Sequence, residues 1–225
     1  MATSVIIEEQ VEIPGDVRSL ADFRRWALSD DFPDRGRIDF IAGNVEVDMS
    51  PESIFSHGRL KVMLASRLFA HVERDDLGHL LSDRSRVSAP VADLSVEPDI
   101  VFVSHEAVDS GRVRLVPKSG PTEDCIEIEG PPDLIVEIVS DSSVGKDTKR
   151  LPAAYAKAGV REFWLADARR EPLVFQIHQL AGDRYVAAEP DADGYQPSQV
   201  FGRRFRLEAE RDRRGFWKFD LVERE

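Results

Sequence analysis

The first part of the chain carries one helical and one extended pattern of hydrophobic residues. An apolar stripe at helical spacing predicts a helix over residues 20–29. Two runs of alternating polar and apolar residues follow at 37–41 and 44–49, and the Ala42-Gly43 pair between them suits a tight turn. These runs predict a pair of antiparallel strands.

A second, longer helix is predicted over residues 50–73. Ser50, Pro51 and Glu52 supply a capping hydroxyl, a proline suited to the first helical position and an acid in the positive first turn. Apolar residues then recur at helical spacing from Ile54 as far as Val72, which marks the buried side of the helix.

The middle of the chain has the pattern of strands separated by a surface excursion. Residues 87–89, 99–103 and 134–139 are predicted strands, and the last two are nearly unbroken aliphatic runs. Such runs are typical of strands that are covered on both faces at the centre of a sheet. Residues 108–130 combine glycine, proline and mixed charge, so we expect them on the surface.

A short helix and two more strands complete the predicted core. The helix spans residues 151–158 and ends at Gly159, the residue preferred for a left-handed C-terminal cap. Strands are predicted at 162–166 and 173–178, and edge strands separated by polar turns are predicted in residues 181–225.

These elements predict a mixed α/β fold in which helices flank a mixed central sheet. We expect one domain over residues 1–225, with its core at about residues 20–180 and extra edge strands beyond it. Hydrophobic residues make up 42% and charged residues 32% of the 225, the balance of a globular protein that buries a substantial core.

Composition also favours a cytoplasmic location. The single cysteine, Cys125, excludes an internal disulfide, so nothing indicates an oxidising compartment. Residues 1–15 lack the basic start and apolar centre of a signal peptide. No apolar run approaches the roughly 20 residues that a membrane-spanning helix needs, so no membrane role is expected.

The net charge of −12 opposes a broad attraction to nucleic acid, whose binding relies on lysine and arginine at phosphates. Two segments nevertheless concentrate positive charge, residues 146–150 and 203–214. The second also contains Glu208, Glu210 and Asp212, so a solvated surface of mixed charge and a phosphate-binding groove both remain open.

Two carboxylates in the apolar strands are the strongest chemical signal. Glu137 is the one charged residue among the aliphatic side chains of residues 134–139, and Asp99 opens the strand before it. Burying an isolated carboxylate costs several kcal/mol unless it is paired or binds a metal. If the two strands are neighbours, both carboxylates can bind one hard cation through oxygen.

Such an ion could activate a water molecule, and Lys146 or Lys149 could assist at a phosphate. A purely structural interpretation stays open beside this one. In it, Asp99 caps a turn, Glu137 forms a salt bridge with an arginine, and the lysines are solvated.

The chain resembles the Uma-type restriction endonucleases of the PD-(D/E)XK nuclease superfamily. The resemblance runs from about Leu20 to His178. It rests on five segments: residues 38–43 (IDFIAG), residues 49–52 (MSPE) with His57, Pro98-Asp99, residues 132–140 (PDLIVEIVS), and residues 155–167 (YAKAGVREFWLAD).

This resemblance implies a nuclease-type core in which Asp99 and Glu137 hold magnesium, with manganese as a substitute. The backbone carbonyl of Ile138 is implied as a further metal ligand. The superfamily lysine belongs two residues after the glutamate, where this chain has Val139.

The lysine role would then move to Lys146, which follows the Glu137 strand after a short loop, or to Lys149. Glu46 and His57 are candidates for accessory roles. Glu46 alternates with Asp48 on a predicted strand, and a solvent-facing position is its simpler explanation. His57 could reach the site or a phosphate, although an ordinary helical histidine is the simpler alternative.

The leading functional hypothesis is a magnesium-dependent endonuclease that hydrolyses DNA phosphodiester bonds with a metal-activated water. The alternative is a non-catalytic binding or regulatory module that retains the nuclease fold, which the acidic charge and Val139 favour. A sugar hydrolase with the same two carboxylates is a weaker third hypothesis. A symmetric homodimer would suit double-strand cutting, but no segment indicates an interface.

Overall fold

The computed structural model of the protein describes residues 11–118 and 124–225. The helices are α1 (Leu20–Ala27), α2 (Arg59–Arg74), α3 (His105–Asp109) and α4 (Leu151–Ala158), with π-helical turns at Ile54–Gly58 and Lys146–Arg150 and a 3-10 turn at Pro90–Ala92. The strands are β1 (Arg37–Ile41), β2 (Asn44–Asp48), β3 (Gly78–Ser82), β4 (Arg86–Ala89), β5 (Leu94–Val96), β6 (Ile100–Ser104), β7 (Arg114–Pro117), β8 (Cys125–Glu129), β9 (Leu134–Ile138), β10 (Glu162–Asp167), β11 (Val174–Ala181), β12 (Arg184–Ala187), β13 (Gln196–Ser198), β14 (Arg203–Arg211) and β15 (Trp217–Arg224).

The strands form three sheets. The first has the order β2-β1-β5-β4-β8-β7, the second β12-β11-β10-β9-β6-β3, and the third β13-β14-β15. In the second sheet β9 runs parallel to β10 and antiparallel to β6. The predicted mixed α/β class, with helices on a mixed sheet, is therefore confirmed, and β6 and β9 are the neighbouring central strands.

Side-chain alternation explains how the layers stack. Ile38 and Phe40 on one face of β1 pack against α1. Ile41, on the opposite face, packs against Ile135 and Phe163 of the second sheet. The far face of the second sheet is covered by α2 and the third sheet. The space between the first and second sheets is therefore an interior in which alternate residues of β1, β6 and β9 meet.

Two turns form as their residues predict. Ala42 and Gly43 both adopt left-handed backbone angles, with φ of 49° and 82°, and join β1 to β2 in a tight hairpin. Gly159 ends α4 with φ of 90°.

In the described part of the chain, no helix combines the length and the apolar character needed to cross a membrane.

The predicted helix start at Ser50 is wrong. The backbone N–H of Ser50 donates to the carboxylate of Asp48 at 2.8 Å, which ends the preceding strand instead of starting a helix. Ser53 is the cap, because its hydroxyl accepts a hydrogen bond from the N–H of Ser56 at 3.3 Å. Ile54, expected on the buried stripe, is 76% exposed.

The predicted surface excursion over residues 108–130 is also wrong in part. Strands β7 and β8 lie there and form one edge of the first sheet, while residues 119–123 are outside the described residues. The sequence did not indicate β8 as a strand, because its glutamates suggested a charged surface segment. Glu127 and Glu129 both pair with Arg24 of α1, so the charges face a helix rather than solvent.

Candidate active site

Strand alternation brings Asp99 and Glu137 to the same side of the second sheet. Glu137 follows Ile135 on the β9 face that looks toward the first sheet. Strand β6 pairs with β9 so that Ile100 lies opposite Val136, which places Asp99, one residue earlier, beside Glu137. Both side chains therefore point into the interior between the two sheets.

Arg37 reaches the two carboxylates from the first sheet. Its guanidinium lies 3.3 Å from Glu137 Oε2, 3.9 Å from Asp99 Oδ1 and 3.5 Å from Asp39 Oδ2. Asp99 and Glu137 are 2% and 0% exposed. The charge of Arg37 thus offsets three buried acids, which is the salt bridge that the structural interpretation of Glu137 expected.

Asp99 has two further cationic neighbours, both near the start of α2. Lys61 Nζ lies 3.1 Å from Asp99 Oδ1, and His57 Nε2 lies 3.5 Å from Asp99 Oδ2. The backbone N–H of Ile138 also donates to Asp99 at 2.8 Å. Burial alone would raise the pKa of Asp99, but its cationic neighbours hold that pKa well below the ordinary value.

Glu137 has the opposite environment. Burial, together with the charges of Asp99 and Asp147, raises its pKa to about 8, although Arg37 opposes the shift. Tyr155 of α4 donates its hydroxyl to Glu137 Oε1 at 2.5 Å. Tyr155 is therefore a buried partner of the candidate site as well as part of the core.

His57 is buried at the mouth of the site instead of lying exposed on a helix. Burial lowers its pKa, but Asp99 and Glu52 outweigh this effect and raise the pKa to about 9. Its Nδ1 lies 3.0 Å from Glu52 Oε2 but makes no well-directed hydrogen bond. One ligand atom each from Glu52, His57 and Asp99 lies within 4.8 Å of the others, so the three could hold a metal ion.

The lysine beside Asp99 was not among the predicted ones. Lys146 is buried, and its Nζ pairs with Asp39 at 3.0 Å rather than with Glu137. Lys149 is exposed. Lys61 follows His57 by four residues, so the two share one helix face. The four-residue spacing between His57 in the π-helical turn and Lys61 in α2 is the sequence signal that could have revealed Lys61.

The remaining predicted residues lie around this centre. Glu46 of β2 forms a bidentate pair with Arg150, at 2.6 and 2.9 Å. Val139 is fully buried, and its backbone N–H donates to the carbonyl of Ala166 at 2.9 Å. The usual position of the superfamily lysine is therefore an aliphatic core position in this chain.

Two clefts open to the site from solvent. One, of about 340 Å³, is lined by Arg37, Glu52, His57 and the serines of residues 140–143. The other, of about 390 Å³, is lined by Arg37, Lys61, Asp83 and Asp99. Asp99 lines the second cleft, so a ligand could contact it there, whereas Glu137 lies behind Arg37 and lines neither cleft.

The donor atoms fit a divalent cation. Asp99 and Glu137 offer oxygen ligands from adjacent strands, which suits magnesium and manganese. Buried polar atoms without a hydrogen-bond partner also lie here: Oδ1 of Asp147, which suits a cation, and the N–H groups at Nδ1 of His57 and Nε of Arg37, which suit an anion such as a phosphate. The site is therefore incompletely satisfied by its own side chains.

Comparisons with known proteins found one matching family model and a solved structure with a similar fold. The model of the Uma2 family, described as “Putative restriction endonuclease”, matches residues 20–210. The crystal structure of “a putative nuclease belonging to DUF820” from Anabaena variabilis ATCC 29413 superposes with a TM-score of 0.60 at 18% sequence identity. The match covers 82% of this chain and 90% of that one. No curated protein matches significantly.

Proposed function

Because the chain belongs to the Uma2 family (“Putative restriction endonuclease”), matched over residues 20–210, we propose that it is a metal-dependent DNA endonuclease that hydrolyses phosphodiester bonds. The observation that carries this proposal is the pair Asp99 and Glu137. Both are buried carboxylates that face one interior site from neighbouring strands, and Asp99 lines a cleft that opens to solvent.

In this proposal Asp99 and Glu137 hold magnesium or manganese, and the Ile138 carbonyl is a candidate further ligand. When bound, the ion would activate a water molecule and offset negative charge on the phosphate. Glu52 stands beside Asp99 and could complete the ligand set through its carboxylate, whereas His57 could join the set only as a neutral imidazole.

The basic residues supply charge at the scissile phosphate. Lys61 fits the role of the missing superfamily lysine, because its ammonium lies 3.1 Å from Asp99 and next to one cleft. With a pKa of about 9, His57 is a cation at neutral pH and donates a proton toward the site rather than accepting one. Lys146 is proposed to act one step further away, by fixing Asp39 beside Arg37.

One observation favours the second candidate, a non-catalytic nucleic-acid-binding module. Arg37 contacts both Asp99 and Glu137 and already supplies a positive charge between them. In that case the arginine would take the electrostatic role of the metal, and the fold would serve binding alone.

The test is metal titration combined with DNA cleavage. Wild-type protein should bind magnesium or manganese, gain thermal stability from it by binding linkage, and nick supercoiled DNA. Asp99→Asn and Glu137→Gln should each lose most metal affinity and most cleavage, and the double variant should lose little more, since the two act as one unit.

Asp133→Asn is the matched control, because Asp133 is equally buried but pairs with arginines outside the site. It should keep metal affinity and cleavage. Equal metal responses in wild type, Asp99→Asn and Glu137→Gln would rule out a metal site at these residues. Metal-independent DNA binding without cleavage would support the non-catalytic module.

A further inference from the structure

The hairpin tip between β14 and β15 is fastened beside the candidate active site. The ring of Phe216 stacks on Phe55, with centroids 4.0 Å apart and planes at 9°. Arg59 pairs with Asp212 of the tip at 3.4 Å. Phe55 belongs to the same π-helical turn as His57, so the tip is held next to the mouth of the site.

The tip also has a fixed internal shape. The carboxylate of Asp212 accepts hydrogen bonds from the backbone N–H groups of Arg214 at 2.9 Å and Phe216 at 3.0 Å. The N–H of Asp212 donates to the carbonyl of Phe216 at 2.8 Å, which closes the turn. The arginines at the tip therefore project from an ordered platform rather than from a loose loop.

The acids near the tip are already neutralised within the protein. The pairs are Glu210 with Lys218 at 2.6 Å, Glu171 with Arg211 at 2.5 Å, and Asp220 with Arg67 at 2.7 Å. For residues 203–214, the sequence left open a solvated surface of mixed charge and a phosphate-binding groove. This pairing favours the phosphate-binding groove. The acids of this region have partners, so they do not cancel the charge of the remaining arginines.

Of the remaining arginines, Arg213 and Arg214 lie in the hairpin tip. Both are exposed, and among the described residues neither side chain makes an ion pair or a hydrogen bond. Arg170, also exposed, lies on the neighbouring loop, which is tied to the hairpin because Trp217 Nε1 donates to the carbonyl of Ala168 at 3.0 Å. Three exposed guanidinium groups thus lie on segments that adjoin the site.

We propose that Arg213 and Arg214, with Arg170, bind the phosphate backbone of DNA and hold it beside Asp99 and Glu137. This inference rests on the proposed function, and it names the surface through which that site would receive its substrate. A chain with net charge −12 repels nucleic acid in general, so binding requires a local group of free cations. Guanidinium groups suit phosphate because they can donate two parallel hydrogen bonds.

The experiment measures the salt dependence of DNA binding in metal-free buffer, so that it needs neither a bound ion nor cleavage. The affinity for a short fluorescent duplex is recorded over a series of salt concentrations. Each lost phosphate contact lowers the slope of log K against log[salt] by about 0.9. Arg213→Ala/Arg214→Ala should therefore reduce the slope by up to about 2 and weaken binding for all sequences alike.

The matched control is Lys157→Ala/Arg184→Ala, which removes two exposed cations elsewhere. Arg184 lies at the end of the second sheet where β10 begins. The hairpin tip is tied to the loop that follows β10, at the opposite end of that sheet. The control should keep the wild-type slope. An unchanged slope in the tip variant, an equal loss in the control, or preferential binding of RNA would overturn the inference.

These outcomes are distinct from failure of the proposed function. If wild-type protein cleaves DNA with metal but the tip variant keeps its affinity and slope, the inference fails and the proposed function stands. If wild-type protein neither binds metal nor cleaves, yet the tip variant loses slope and affinity, the proposed function fails and the phosphate-binding surface stands.

Discussion

At the scale of single residues, the candidate site is a balance of buried charges. Arg37 is surrounded by Asp39, Asp99 and Glu137. The sequence pattern does not indicate this convergence, because Arg37 comes from the first sheet. Removing any one partner leaves another buried charge without compensation, which is more costly than the pair is stabilising. The site is therefore sensitive to small changes in hydrogen bonding.

Tyr155 allows that sensitivity to be measured. Tyr155→Phe removes the hydroxyl that donates to Glu137 but keeps the ring in the core, so we expect it to lower the free energy of unfolding by about 1–3 kcal/mol. Urea denaturation at pH 9, above the Glu137 pKa of about 8 so that the acceptor is a carboxylate, is the measurement.

Tyr185→Phe is the matched control, because the Tyr185 hydroxyl donates at 2.8 Å to the backbone carbonyl of Val160, a neutral acceptor. Its cost should be smaller, about 0.5–1.5 kcal/mol. If the two variants lose the same stability, the Tyr155–Glu137 hydrogen bond has no special strength.

The predicted carboxylates were visible in the sequence because each interrupts an aliphatic strand. Asp99 and Glu137 stand out for that reason, and the structure places them together. Arg37, Lys61 and Tyr155 do not stand out, because their neighbours in sequence suggest a strand end, a helix surface and a packed aromatic. Their contacts with the carboxylates join segments about 20 to 100 residues apart, and local periodicity carries no such information.

At the scale of elements, the turn before α2 shows how a local hydrogen bond decides a boundary. Both Ser50 and Ser53 are suitable caps in sequence. Asp48 accepts the N–H of Ser50, and this leaves Ser53 to cap the π-helical turn that carries His57. The hairpin at Ala42-Gly43 and the end of α4 at Gly159 were predictable, because only their own residues decide them.

Replacing the two serines separately tests this boundary. Ser53→Ala should lower the free energy of unfolding by about 1 kcal/mol, the usual cost of a lost N-cap. Ser50→Ala should cost less than about 0.5 kcal/mol, as for an exposed residue without such a role. Thermal denaturation of both variants is the measurement, and a larger loss in Ser50→Ala would restore the boundary predicted from sequence.

At the scale of the whole molecule, Asp133 links the segments that lead to both large sheets. It precedes β9 of the second sheet and pairs at 2.6 Å with Arg112, which precedes β7 of the first. Arg161 lies 3.1 Å away, and the backbone N–H of Ser104 donates at 2.8 Å. Burial raises the pKa of Asp133, but these donors outweigh it and lower the pKa below its ordinary value of 3.8.

A carboxyl group with a lowered folded pKa stabilises the protein above its unfolded pKa, and this contribution is lost as the pH falls through the folded pKa. Asp133→Asn should therefore cost about 1–3 kcal/mol at neutral pH, because Arg112 and Arg161 lose their charged partner. The difference from wild type should stay constant down to about pH 4 and shrink below it, since the wild-type carboxylate then becomes protonated. Asp141→Asn is the control, at an exposed acid that pairs with Arg169 alone among the described residues, and it should stay within about 0.5 kcal/mol of wild type at every pH. Urea denaturation from pH 7 to pH 3 measures both variants, and a difference for Asp133→Asn that grows on acidification would contradict the lowered pKa.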